Sequence, residues 1–210
     1  MLKNYSIIRR QEYIELKNLN LAGKILDLGG SKKSGYHELL NSNSSITTVN
    51  IDSSYGCDLI FDIQEKFSLA DNEFDYCLAL NVLEHIFNFQ NVFQEANRVL
   101  KPNGKFIFAV PFMHQIHGSP DDYFRYTKSS LIKLLEQNNF SEIEIKELGF
   151  GLFSLIFSLV GGSLPICLRP FFMNCAIIKD KICSVIFGAR YQELKKRIPL
   201  GYFVVAKKLK

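Results

Sequence analysis

The chain has 210 residues, 47% of them hydrophobic and 13% aromatic, with 18 Phe and no Trp. That is enough for one domain with its own core, and too apolar for a disordered segment or a purely polar binding tail. The net charge of +4 hides an asymmetry: residues 169–210 carry ten Lys or Arg against two acids, residues 1–168 fifteen against nineteen.

Five cysteines, Cys57, Cys77, Cys167, Cys175 and Cys183, form no CxxC pair and sit mostly in apolar runs. This is the pattern of reduced thiols in a cytoplasmic protein, not of a disulfide framework. The opening MLKNYSIIRRQEYIELKN mixes charged and apolar residues without an h-region, so no signal peptide is expected.

Residues 6–19 predict an amphipathic helix with Ile7, Ile8, Ile14, Leu16 and Leu19 on its apolar side. A strand over 24–28 and a helix near 35–41 follow, then strands near 46–51, 58–61 and 74–80. Phe89, Val92, Phe93, Ala96, Val99 and Leu100 keep helical spacing, and KPNG at 101–104 ends that helix before a strand over 105–112. A helix near 128–138 leads to the alternating SEIEIKEL at 141–148, a half-exposed strand, and GYFVVAKKL at 201–209 is the last strand. The alternation argues an α/β doubly wound sheet within one domain over 1–210. Only about six residues separate the second and third strands, too few for a helical crossover, so the third is expected to be short or poorly paired.

ILDLGG at 25–30 ends an apolar strand in an acid and glycines, and 22 residues later NID ends the next strand in Asp52. A tight turn plus a carboxylate suits a nucleoside ligand: close backbone approach, and an acceptor for the ribose hydroxyls. The ordered set ILDLGG, NID, FDYCLALNVLEHI and RVLKPNGKFIFAVP resembles class I S-adenosylmethionine-dependent methyltransferases, in particular the small bacterial branch related to the type 11 group. The resemblance covers roughly residues 20–150 and the final strand. It implies a Rossmann-like fold: a seven-stranded, mostly parallel sheet with an antiparallel last strand, here with an apolar helical insert before it. It also implies S-adenosyl-L-methionine as cofactor. Asp27 and Gly29 would then lie beneath its methionine part, Asp52 at the ribose, Asp62 at the adenine amine with Ile63 beside the ring, and Asn81 near the methionine moiety. Ser31 and Lys33 stand where the family has its later two glycines. This cofactor has no pyrophosphate to cradle, so the change is tolerable, and it counts against a dinucleotide enzyme.

Methyl transfer from a sulfonium needs chiefly positioning, worth up to roughly 7–11 kcal/mol, and for a hydroxyl acceptor a base. His117 is the first candidate and His85 the second, with helix-start packing the alternative for His85. HGSPDDYFRYT at 117–127 resembles a segment of methyltransferases from bacterial surface-polysaccharide gene clusters. It implies His114, Asp122, Tyr123, Arg125 and Tyr126 at a saccharide acceptor, although Arg125 and Asp122 could simply pair with each other. No metal is expected, because His114 and His117 lie in a Pro- and Gly-flanked loop without a ready third ligand.

Residues 150–168 form a nineteen-residue stretch without charge, broken by Gly161, Gly162 and Pro165, inside an insert at 151–197. Strands on both sides must join one sheet, which excludes a single membrane span. With Arg169, Lys179, Lys181, Arg190, Lys195, Lys196 and Arg197 nearby, the insert suits peripheral contact with an anionic membrane on its cytoplasmic face. Packing over the substrate pocket or against a second subunit is the alternative. The overall expectation is an O-methyltransferase of a saccharide or surface-glycan intermediate, with no nucleic-acid partner. A lipid or quinone-like acceptor, or a non-catalytic scaffold of the same fold, is the alternative.

Overall fold

The computed structural model describes residues 6–118 and 121–209. Residues 1–5, the start of the segment judged not to be a signal peptide, lie outside it, as do Ser119 and Pro120 of the 117–127 segment.

Helix α1 (Ile7–Asn18) begins where Ser6 Oγ accepts a bond from the Arg9 N–H. It buries Ile7, Ile8, Tyr13 and Leu16, whereas Ile14, expected inside, is 47% exposed. Strands β1 (Lys24–Leu28), β2 (Ser45–Asn50), β3 (Leu59–Ile60) and β4 (Phe74–Leu80) follow. Helix α2 (Phe89–Val99) leads into β5 (Leu100–Pro111), and α3 (Lys128–Gln137) into β6 (Phe140–Leu148). The insert supplies α4 (Leu152–Val160), α5 (Arg169–Phe187) and α6 (Ala189–Arg197) before β7 (Gly201–Lys208).

The sheet order is β3-β2-β1-β4-β5-β7-β6, with β7 antiparallel to both β5 and β6 and the other pairs parallel. The expected seven-stranded Rossmann-like sheet is thus present. Three local features differ from expectation or sharpen it. The helix near 35–41 is only a 3-10 turn, His37–Leu39. Serine and asparagine side chains there bond the nearby backbone: Ser34 Oγ takes the Ser31 N–H at 3.0 Å and Asn41 Oδ1 the Asn43 N–H at 2.9 Å, competing with helix. β3 is two residues long, pairing only Val49 with Leu59 and Asn50 with Ile60, as its short connection requires. KPNG does not precede β5 but bulges from it, shifting the register between Phe74 and Tyr76, with Asn103 left-handed at φ 66°.

The sheet is covered on both faces. One core joins Leu26, Phe93, Phe106, Phe108 and Val204 with α2 and α3 residues such as Val99 and Leu131. The other joins Ile25, Leu78 and Phe203 with Leu16 of α1 and with Leu155 and Met173 of the insert. The insert is therefore a packed part of one face, not a detached arm.

Candidate active site

The turn after β1 is built by exclusion. Gly29 has φ 73°, and a Cβ there would meet Val82 Cγ2 at 2.5 Å. At Gly30 a Cβ would fall 2.0 Å from Asp27 Oδ2. Both glycines are needed by the protein's own packing, whatever ligand lies above them. Asp27 is fully buried beneath them and already engaged: the Tyr36 hydroxyl donates to it at 2.7 Å, and His37 Nε2 lies 2.7 Å from Oδ2. Burial pushes its carboxyl up from the ordinary range, opposed by the bonds from His37 and Tyr36. Asp27 thus holds the turn through Tyr36 and His37, beneath the glycines where the resemblance puts the methionine part of the cofactor.

Asp52 stands just past β2, exposed, with Oδ1 accepting the Ser54 N–H at 2.8 Å; this bond holds the acid below its usual range. Asp62 follows β3 and accepts from the Gln64 N–H at 2.9 Å. Ile63, expected beside an adenine ring, is 6% exposed and packs in the core next to Asp62 in the chain. The loop at Ser31–Lys33 is tied across the sheet edge: the Lys32 N–H reaches the Gly56 carbonyl at 3.1 Å and its ammonium Asp58 at 2.8 Å.

At the end of β4, Asn81 is left-handed at φ 54° and donates its amide to Glu12 Oε2 of α1 at 3.0 Å. Glu12 is fully buried, and its Oε1 has no hydrogen-bond partner among the described residues. Burial raises its carboxyl, opposed by Arg9 and by the Asn81 bond. A cavity of about 150 Å³ opens here, lined by Ser6, Ile8, Arg9, Asn81, Pro111, His114 and His117. Asn81 and the two loop histidines therefore share one space, and Asp52 and Asp62 are not among its lining residues.

Beside His117 lies an acid of the FDYCLALNVLEHI motif that was not singled out from the sequence. Glu84, in the 3-10 turn Leu83–His85 after β4, is wholly buried, and neither carboxylate oxygen has a hydrogen-bond partner among the described residues. Desolvation pushes its carboxyl up to about 8. His85 Nε2 and His117 Nε2 approach Oε1 at 3.7 and 3.8 Å. His85 Nδ1 is 2.5 Å from the Asp121 carbonyl. His117 is lowered by desolvation and by the neighbouring His114 and His85, with Asp122 acting the other way.

The residues expected to hold a saccharide largely hold this loop instead. Arg125 grips the Asp122 carboxylate with two guanidinium nitrogens, and Asp122 Oδ2 also accepts the His117 N–H at 2.9 Å. The Asp122 side chain is 1% exposed and strongly acidified, chiefly by Arg125, so the pair is structural. Tyr126 is buried and its hydroxyl donates to the Leu83 carbonyl at 3.1 Å. The polar groups of these three are engaged inside the protein, the pairing of Arg125 with Asp122 being the alternative the sequence left open. Tyr123 is exposed, its ring against Phe87, and His114 faces the cavity, so these two remain placed for an acceptor.

Residues 26–108 match the model of a methyltransferase domain. A SAM-dependent methyltransferase from Archaeoglobus fulgidus superposes with a TM-score of 0.63 at 15% identity, over 95% of this chain and 94% of its own. The chain has a class I methyltransferase fold. Phosphoethanolamine N-methyltransferase 2 of Haemonchus contortus, solved with S-adenosyl-L-methionine, gives 0.61 at 14% identity over 96% of the chain, which spans only 53% of that protein. The 1,6-didemethyltoxoflavin-N1-methyltransferase of Burkholderia thailandensis, solved with 1,6-didemethyltoxoflavin and S-adenosylhomocysteine, gives 0.57 at 16% identity, over 97% and 79%. No curated protein matches the chain in sequence.

Within this methyltransferase fold, the sequence missed Glu12, Tyr36, His37 and Glu84. For Glu84 a signal was present: an acid enclosed by apolar residues in NVLEHIF, one step before a histidine. For Glu12 there was none, because its partner Asn81 is 69 residues away.

Proposed function

We propose that the chain is an S-adenosylmethionine-dependent O-methyltransferase acting on a saccharide or surface-glycan intermediate. The observation that carries this is the cavity that Asn81 shares with His114 and His117, at the carboxyl ends of β4 and β5. Open α/β sheets bind ligands at such strand ends. S-adenosylmethionine is the cofactor: Asp52 suits its ribose hydroxyls, and the free oxygen of Glu12 beside Asn81 suits the cationic amino-acid end. Removing a hydroxyl proton falls to the histidines, His117 first, a contribution of about 10²–10⁴-fold. Calorimetry with S-adenosylhomocysteine tests the cofactor. Saturable heat that Asp52→Ala weakens at least about tenfold supports it, one lost ribose bond being worth about 1.5–3 kcal/mol. No heat returns the chain to the scaffold reading. Methyl transfer to saccharide acceptors, lost in His117→Ala, supports the acceptor class.

A lipid-linked acceptor is the reading favoured by the insert. No helix among the described residues is long and apolar enough to cross a membrane. Yet α5 presents Phe171, Ile178, Ile182, Val185 and Ile186 to solvent, with Lys179 and Lys181 between them and Arg190 beyond. Basic and apolar side chains so mixed suit an anionic leaflet, at up to about 1 kcal/mol per charge. Flotation with anionic liposomes, abolished by Val185→Asp with Ile186→Asp, supports this position; a protein that stays at the bottom of the gradient refutes it.

A further inference from the structure

We propose that Glu84, His85 and His117 bind one divalent transition-metal ion beside the cavity that His117 lines. Their three ligand atoms lie within 4.8 Å of one another, with Glu84 Oε1 3.7 and 3.8 Å from the two Nε2 atoms. Metal bonds of about 2.0–2.2 Å set ligand atoms roughly 3.3–3.6 Å apart, so small side-chain movements complete the triangle. His117, 42% exposed at its side chain, has the freedom to make them.

Two features separate this group from a chance cluster. Glu84 is completely buried, and both of its oxygens lack hydrogen-bond partners among the described residues, although nearly all buried polar groups are satisfied. Each imidazole is also held from behind: His85 Nδ1 at the Asp121 carbonyl, 2.5 Å away, and His117 Nδ1 3.3 Å from Asp122 Oδ2. The Asp121 carbonyl fixes the His85 tautomer that leaves Nε2 as a lone-pair donor, the arrangement found behind metal-bound histidines, and the Asp122 carboxylate lies on the matching side of His117. This explains why Arg125 and Asp122 are spent on each other: together they aim His117.

Two imidazoles and a carboxylate suit zinc, cobalt, manganese or ferrous iron, and three protein ligands leave a position for substrate. The role of that position rests on the methyltransferase reading. A metal held there would acidify an acceptor hydroxyl; with His117 then a ligand, the proton would go to His114 in place of His117, the two ring centroids being 5.0 Å apart. The acceptor oxygen bonds to the methyl carbon as the carbon–sulfur bond breaks, the electron pair returning to sulfur to give S-adenosylhomocysteine.

The test is zinc titration of the chelator-stripped full chain by calorimetry, with cobalt absorption as a second probe. One equivalent should bind, Glu84→Gln and His85→Ala should each weaken it by at least about 100-fold, and Asp122→Asn by about 10–100-fold. Cys167→Ser, which removes an exposed thiol, should bind as the parent does. Circular dichroism checks that each variant is folded. Unchanged affinity in folded Glu84→Gln, or loss of binding in Cys167→Ser, overturns the proposal. S-adenosylhomocysteine binding without zinc binding overturns the metal site alone, whereas zinc binding without S-adenosylhomocysteine binding overturns the methyltransferase reading alone.

Discussion

Asp180 of α5 is the polar centre of the insert, and replacing it tests whether α4, α5 and α6 stand as one unit. Its carboxylate is fully buried; it accepts the N–H groups of Phe153 at 2.9 Å and Ser154 at 2.8 Å, and the Tyr191 hydroxyl of α6. Tyr191 in turn accepts the Leu152 N–H at 3.1 Å. Three of the orphan N–H groups that open α4 are thus satisfied through one acid and one phenol, with negative charge at the positive end of the helix. Asp180→Asn keeps the shape but replaces one acceptor oxygen by a donor, so at least one of these N–H or O–H groups faces another donor. Bonds to a charged group are worth about 1.5–3 kcal/mol each, and the lost dipole interaction adds up to about 2 kcal/mol. A loss of about 3–5 kcal/mol follows, a large share of a typical domain's 5–15 kcal/mol. If unfolding is two-state, Tm falls by about 6–20 °C. If the insert opens locally, amide exchange over 152–160 accelerates by roughly two to three and a half powers of ten, while β1 and β4 amides keep their rates. Tyr191→Phe should show the same pattern at about 1–2 kcal/mol. Unchanged Tm and exchange in Asp180→Asn would refute the network.

Gly30→Ala places a methyl group 2.0 Å from a buried oxygen of Asp27. The turn must shift, at a cost of about 1–3 kcal/mol in urea melts, and S-adenosylhomocysteine affinity should fall with it; a variant of full stability shows the turn to be pliable. Asp58 gives the acid-side prediction. Lys32 and the N–H and hydroxyl of Thr48 hold its carboxyl at about 2. Because the folded pKa lies below the unfolded one, the contribution is complete above about pH 4 and is lost as pH falls through about 2. A third of the side chain is exposed, so solvent screening leaves about 1 kcal/mol. Asp58→Asn should lower stability at pH 5 and make no difference at pH 2; equal loss at both values would show that charge is not the cause.

The sheet was legible because burial imposes a period. ILDL, FDYCLAL and KFIFAVPF are apolar runs that only central strands covered on both faces accommodate, and SEIEIKEL alternates because β6 is an edge. The crossovers were less legible. Helical spacing near 35–41 yielded to Ser34 and Asn41, whose side-chain bonds to local backbone are invisible to a period count. At the site, the residue types were legible and their contacts with one another were not. A segment dense in Asp, Arg and Tyr looks the same whether those groups face a sugar or one another. Burial decides it, and Asp122 and Tyr126 are inside.

What burial reveals at Glu84 is the reverse case. A carboxylate in an apolar run has three physical outcomes: a cationic partner, protonation, or a ligand that brings its own positive charge. Arg125, the guanidinium of this loop, donates to Asp122, which leaves the two imidazoles as the near cationic partners Glu84 could have. Protonation accounts for a neutral acid; the proposed metal would in addition use the two imidazole nitrogens near it, with His85 Nδ1 bonded to the Asp121 carbonyl and His117 Nδ1 beside Asp122. The third outcome accounts for all five residues with one cause. It also explains why the loop after β5 is so polar while so little of that polarity reaches solvent.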